Sequence, residues 1–159
     1  MAIPLHLTLT DDDGTIINGS SCVVGREGSI EVLSFNHALH VLADSSTGKL
    51  MAGRVHDPIV IVKEIDRSSP VLYMAVARGK TLRAGVLRWY RIVDGGTEEE
   101  YFRMEMTNIK VVSVAPYVPN IKDEAGRAQN HLESVAFCYE KITWTYLDGN
   151  LIFADGWGM

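Results

Sequence analysis

Apolar and polar residues alternate with a period of two through most of this chain, the pattern of half-buried β-strands rather than of helices. Ile3, Leu5, Leu7 and Leu9 alternate with Pro4, His6 and Thr8, and the run Asp11-Asp12-Asp13-Gly14 supplies a turn. Residues 29–35 (SIEVLSF) read as a second strand and residues 59–63 (IVIVK) as a third. Residues 80–93 form a long strand that ends at Asp94-Gly95-Gly96, and residues 100–106 and 109–115 continue the series. Pro116 and Pro119 open a polar connection to about residue 130, and residues 132–146 are the longest strand candidate.

A single helix interrupts the strands. In DRSSPVLYMAVARG (residues 66–79), Ser69 is placed to cap and Pro70 to occupy the first helical position, where a missing N–H costs nothing. Leu72, Ala75 and Val76 share a face, and Gly79 supplies the stop. The expected fold is mainly β: a small β-barrel of two packed antiparallel sheets, with one short flanking helix at about residues 69–79. The length, 159 residues, fits a single domain spanning 1–159.

Residues 36–57 (NHALHVLADSSTGKLMAGRVHD) exceed what a compact barrel needs to join two strands. They read as a projecting arm, with Val41, Leu42, Leu50 and Met51 as its apolar positions.

Composition excludes several functions. With 15 basic and 20 acidic residues the net charge is −5, which argues against a nucleic-acid or anionic-membrane partner. No stretch approaches the roughly 20 apolar residues of a membrane-spanning helix, and the opening MAIPLHLTLTDDDG has no basic region followed by an apolar run. Cys22 and Cys138 sit in strand-like stretches without metal-ligand spacing and read as reduced thiols.

Motifs for chemistry are weak. His37 and His40 form H-x-x-H, but a zinc site needs three or four convergent ligands, and neither metal nor other cofactor is expected. In the aspartate run, placing Gly14 as a calcium-loop glycine puts Leu9 and Ser20 at ligand positions, so the run is a turn. Arg88-Trp89-Tyr90-Arg91 interleaves base and aromatic, but on a strand the two rings face opposite ways. No nucleophile elbow, P-loop or dinucleotide fingerprint is present, and no enzymatic activity is expected. Two other classes stay open at this point: a carbohydrate-binding β-sandwich using Trp89, Trp144 or Trp157, and a cupin-like metal enzyme using His37, His40 and a third ligand.

The C-terminal stretch, 142–159, contains no lysine, arginine or proline, the usual protectors of an edge strand. Asp148-Gly149 signals a type I′ turn. Pairing outward from it sets Tyr146 opposite Leu151 and Trp144 opposite Phe153, with Ile142 on the same face and Thr143, Thr145, Ile152 and Ala154 on the other. Trp144 and Phe153 are expected in the barrel core. Either the last strand lies mid-sheet or a neighbouring subunit covers its edge, with Leu151, Ile152 and Trp157 at that boundary.

Five stretches, IPLHLTLTDDDG, SIEVLSFNHALH, KEIDRSSPVLYMAVARG, NHLESVAF and YEKITWTYLDGN, resemble the Hcp (haemolysin-coregulated protein) family, the tube proteins of the bacterial type VI secretion system. The resemblance runs from Ile3 to about Trp157 and is weakest over residues 116–129 and ADGWGM. It implies a hexameric ring with a wide channel, rings stacked into a tube inside a contractile sheath, and a spike protein at the tip. It also implies small effector proteins carried in the channel, and a bacterial cytoplasmic protein secreted through that apparatus. Within that expectation Val41, Leu42, Leu50 and Met51 would reach the next ring, and Ser34 and Asn36 would line the channel.

Overall fold

The computed structural model describes residues 3–157. Twelve strands and two helices follow in the order β1 (Leu5–Thr10), β2 (Ile16–Ile17), β3 (Ile30–Val32), β4 (Ser34–Asn36), β5 (Leu39–Ala43), β6 (Leu50–His56), β7 (Ile59–Glu64), α1 (Ser69–Arg78), β8 (Thr81–Ile92), β9 (Glu98–Tyr117), α2 (Glu124–Arg127), β10 (Leu132–Cys138), β11 (Lys141–Tyr146) and β12 (Leu151–Gly156). All pairings are antiparallel, as chains joined by short turns permit.

Hydrogen bonding runs β1–β8–β9–β10–β7–β4. The circuit closes because β3, continuous in chain with β4, pairs with β1 through Leu5↔Val32 and Leu7↔Ile30. At Leu33 the chain bends, and β4 leaves β1 to pair with β7, placing Phe35 opposite Ile61. The Leu33 N–H still donates to the Val62 carbonyl at 2.8 Å, which holds the corner. Closure removes the exposed edges along that circuit, while β12, paired with β11, lies outside it.

The interior receives Leu7, Leu9, Ile30, Val32, Ile59, Ile61, Leu87, Met106, Ile109 and Phe137, all nearly inaccessible. Burying a side chain of this size contributes roughly 1.5–3 kcal/mol. Gly85 is required within β8, since a Cβ there would meet Ile109 Cδ1 at 2.6 Å and Leu9 Cδ2 at 3.1 Å.

Helix α1 lies against β9 and buries Leu72 and Ala75. Gly79 adopts φ 63°, its N–H donates to Val76 and the Lys80 N–H donates to Ala75, which together end the helix in a Schellman arrangement. Its N-terminus is tied to the barrel by a buried ionic cluster. Lys63 of β7 is inaccessible, forms an ion pair with Glu133 of β10, and places Nζ 3.1 Å from Asp66 Oδ1 and 2.9 Å from the Glu64 carbonyl. Ser69 Oγ donates to Glu133 Oε1 at 2.7 Å. Period-two alternation could not anticipate a buried lysine. It is tolerated because each of its donors finds an oxygen.

The mainly β architecture with a helix alongside is the one expected, although the second antiparallel sheet is the two-stranded β5–β6 arm. Several boundaries differ. Residues 29–35 form two strands, because the chain changes partner at Leu33. The two candidates at 100–106 and 109–115 are one strand, β9, which passes through Asn108 at φ 52°. The reverse holds for 132–146. Both β10 and β11 run beside β9, but Tyr139 and Glu140 interrupt them opposite Asn108, whose side-chain amide donates to Glu140 Oε2. The N-cap position of α1 is Ser68 rather than Ser69 and makes no side-chain capping bond; Ser69 Oγ is engaged by Glu133, and Val76 faces solvent. The polar connection after β9 holds the short α2.

Candidate functional site: an open strand edge and an exposed arm

Residues 141–146 form hydrogen-bond ladders on both sides, with β9 and with β12. The register places Tyr146 opposite Leu151 and Trp144 opposite Phe153, as the sequence indicated. Strand β12 pairs only with β11, so among the described residues its outer edge is open and the mid-sheet alternative does not hold. The turn is not type I′: Gly149 and Asn150 take positive φ (85° and 50°), while Asp148 does not. The Asn150 N–H donates to the Leu147 carbonyl at 3.2 Å, giving a four-residue connection with the glycine third.

Phe153 is not in the core; 62% of its surface is exposed, and it stacks on Trp144 with centroids 5.9 Å apart. Trp144 does pack partly against the core. The physical reason lies in the neighbours. Strand β7 flanks β10 only as far as Phe137, and beyond it β12 takes the outer place, with no strand among the described residues on its far side. Leu151, Ile152 and Phe153 are therefore exposed in succession, on both faces of one strand.

The arm is a hairpin of β5 and β6, paired from Leu39↔His56 to Ala43↔Leu50 with an irregularity between Val41 and Ala43. Its tip is set by Asp44, whose Oδ1 accepts from the Ser46 N–H at 2.8 Å, and by Gly48 at φ 71°. Every residue of β5 is exposed, and Leu50 and Met51 at the start of β6 are 65% and 69% exposed. Val41 and Leu42 join them, so the four apolar arm positions meet solvent.

The root of the arm is buried. Tyr139 Oη lies 2.8 Å from His37 Nε2 and 2.6 Å from His56 Nδ1, and His56 Nε2 lies 3.0 Å from Asp155 Oδ2. Arg54 grips the same carboxylate, with Nη2 at 2.8 Å from Oδ1 and 3.1 Å from the Gly156 carbonyl. That guanidinium holds Asp155 well below the usual carboxylate range, against an opposing push from desolvation. Burial raises Tyr139, aided by Cys138 once that thiol ionises and by the charges of Asp155 and Asp57, so the phenol keeps its proton. Burial also lowers His37, with His56 adding to the effect and Asp57 opposing it. The His56 ring stacks near Trp144 and tilts toward Trp157. Sequence reading missed this cluster because its members come from four separate segments. Its one local signal was a histidine at the arm's end, beside Asp57 and Pro58.

Ser34 and Asn36 are exposed and flank the half-buried Phe35. They are not in phase with Ile30 and Val32, since the bend at Leu33 shifts the alternation by one residue. His37 and His40 do not converge: His37 bonds Tyr139, while His40 Nδ1 faces Asp57 at 3.8 Å. Among the described residues the one group close enough to share a metal is Asp11, Asp12 and Asp13, and these shape the β1–β2 turn through bonds to backbone N–H groups and Lys80. Trp89 packs between Phe35 and Phe102, whereas Trp144 and Trp157 gather at His56. No helix among the described residues is long and apolar enough to cross a membrane.

The family described as "Type VI secretion system effector, Hcp" matches residues 6–146. A Pseudomonas aeruginosa protein named major exported protein is 31% identical over 166 residues, covering 99% of this chain and 96% of its own length. The Hcp1 protein of the E. coli EAEC 042 pathovar, solved in a doubly substituted form, superposes with TM-score 0.88 at 49% identity, covering 98% of this chain and 99% of that one. Secreted protein Hcp3 of P. aeruginosa gives 0.77 at 28% identity, with 99% and 100% covered. The closed barrel, the side helix, the arm and these matches together place the chain in the Hcp family of the type VI secretion system.

Proposed function

We propose that six copies of this tube subunit close into a ring, that rings stack into the expelled tube, and that the channel carries small effector proteins. One observation carries the reading: Leu151, Ile152 and Phe153 lie exposed in succession along an open strand edge that has none of the usual edge protectors. A cyclic ring requires a heterologous interface, in which one patch meets a different patch on the next copy, and an open strand suits that role. In this reading Leu151, Ile152 and Trp157 sit at the subunit boundary. Val41, Leu42, Leu50 and Met51 reach the neighbouring ring, where apolar patches of this kind find cover. Ser34 and Asn36 offer the channel a wet, adaptable face. The role is structural rather than catalytic, and the sheath and spike proteins are the outer partners.

Light scattering with negative-stain imaging tests the ring. The expected result is a six-membered particle, and a stable monomer at micromolar concentration without rings overturns it. Ile152→Pro removes a backbone donor at the open edge and should prevent ring closure. Replacing residues 44–53 with a short Gly-Ser link should leave single rings while tubes and secretion fail. A monomeric product would assign the arm to the in-ring interface instead.

A further inference from the structure

Two imidazoles share one hydroxyl at the root of the arm, and the bonding there has a fixed direction. Asp155 is ionised and can only accept, so His56 Nε2 carries hydrogen and donates to it. When His56 carries hydrogen on Nε2 alone, Nδ1 presents a lone pair, and Tyr139 donates its hydroxyl hydrogen there. The Tyr139 oxygen is left to accept from His37 Nε2–H. Each hydrogen bond that links His37 Nε2, Tyr139 Oη, His56 and Asp155 then has one donor and one acceptor.

One added proton fits. On His37 it leaves the existing donor in place. On His56 it makes Nδ1 a donor, and the Tyr139 hydroxyl can turn toward a neutral His37 whose Nε2 has become the acceptor. Two added protons do not fit. Both rings would then donate to one phenol oxygen, whose own hydrogen would have no acceptor within the cluster, while two cationic nitrogens lay within 2.8 Å of that same atom. An orphaned buried donor costs about 1–3 kcal/mol, and like charges at this range add to it.

The surrounding charges do not relieve the conflict. From β6, Arg54 is itself cationic and already holds Asp155 of β12. Asp57, just after β6 and half-buried, stands 3.8 Å from His40 of β5 and only partly offsets the burial that disfavours charge on His37. At the β10–β11 break Glu140 bonds Asn108, and Cys138 is a thiol held neutral by burial. The other walls are the uncharged rings of Phe35, Trp144 and Trp157.

We propose that the His37–Tyr139–His56 cluster is a pH-sensitive latch: it holds the arm's root against the barrel while the two histidines carry at most one proton, and releases it when both are charged. Burial keeps His37 neutral below the ordinary histidine range, so release requires clearly acidic surroundings rather than a small excursion from neutrality. The latch stands on the geometry of one chain. Only its consequence for stacked rings rests on the assembly reading above.

Hydrogen exchange on the full-length protein, corrected for intrinsic rates, tests it at about pH 7.5 and about pH 5. Amides of β5 and β6 should lose roughly tenfold more protection on acidification than those of β10. Equal change in arm and barrel, or none in the arm, overturns the latch. His37→Gln retains an N–H donor for Tyr139 but cannot be charged, so its arm should stay protected at the acidic pH; loss matching the parent protein overturns the proposal. Tyr139→Phe should loosen the arm at both values, and an arm in that variant that keeps the parent's protection and pH response also overturns it. Particle mass measured in parallel separates the two readings. Acid release with tubes intact supports the latch and counts against the arm's role in stacking.

Discussion

The barrel and the arm are built from the same kinds of residue and treat them in opposite ways. Leu87 in β8 and Leu50 in β6 are both strand leucines, yet one is inaccessible and the other 65% exposed. The difference lies in neighbours. Strand β8 is bordered by β1 and β9 and carries a face turned into a closed circuit, whereas among the described residues β6 has only β5 beside it. The barrel finishes its packing within one chain, even providing Asp66 and Glu133 for a buried lysine. The arm and β12 present apolar surface that nothing among the described residues covers. Apolar content therefore does not decide burial here; closure of the ladder does.

The largest effect should come from the barrel's ionic cluster. Lys63→Ala leaves the buried Glu133 and the half-buried Asp66 without their cation and should cost about 3–5 kcal/mol in chemical denaturation. A midpoint close to the parent's would show that the barrel does not depend on that pairing. Next, Leu87→Ala should cost about 2–5 kcal/mol by opening a cavity in the packed interior. Comparable stability to the parent would mean that the interior collapses around the gap.

The third test uses pH to separate the two regions. His6 is buried, lies 2.9 Å from Ser29 Oγ, and is lowered first by burial and then by the Arg26 charge. The folded protein keeps the ring neutral while the unfolded chain takes a proton near its ordinary value of about 6.5. Its contribution is thus complete above that pH and is lost as pH falls toward the lowered folded value. Global denaturation of His6→Gln should show a flatter acid limb than the parent, while His37→Gln, at the arm's root, should change that limb less. The reverse order would place the cooperative unit in the arm. The smallest effect belongs to the arm itself. Leu50→Ser and Met51→Ser should shift stability by no more than about 0.5 kcal/mol, yet reduce the stacked fraction seen by microscopy.

Period-two alternation made the barrel strands legible, and the Ser-Ser-Pro start with a glycine stop located α1 to within a residue. Exposed loop length flagged the arm. What alternation could not reveal was any event that depends on a distant partner. Leu33 changes the face of its strand because the chain moves from β1 to β7. Phe153 stays outside because β7 ends its pairing at Phe137. The cluster at the arm's root draws on β6, the residue after β4, the β10–β11 break and β12, and no spacing rule joins these segments.

The two ends of the arm enter the barrel on strands that are hydrogen-bonded to each other. Chain leaves β4 at Asn36 and returns to β7 at Ile59, and Asn36 stands opposite Val60. A pull along the arm therefore draws β4 and β7 the same way and does not peel them apart. The load passes sideways into β10 through the continuous ladder from Leu132↔Glu64 to Phe137↔Ile59, and into β1 through β3. Those rungs are sheared together rather than unzipped one at a time. With this geometry the arm can be tugged hard before the barrel gives way.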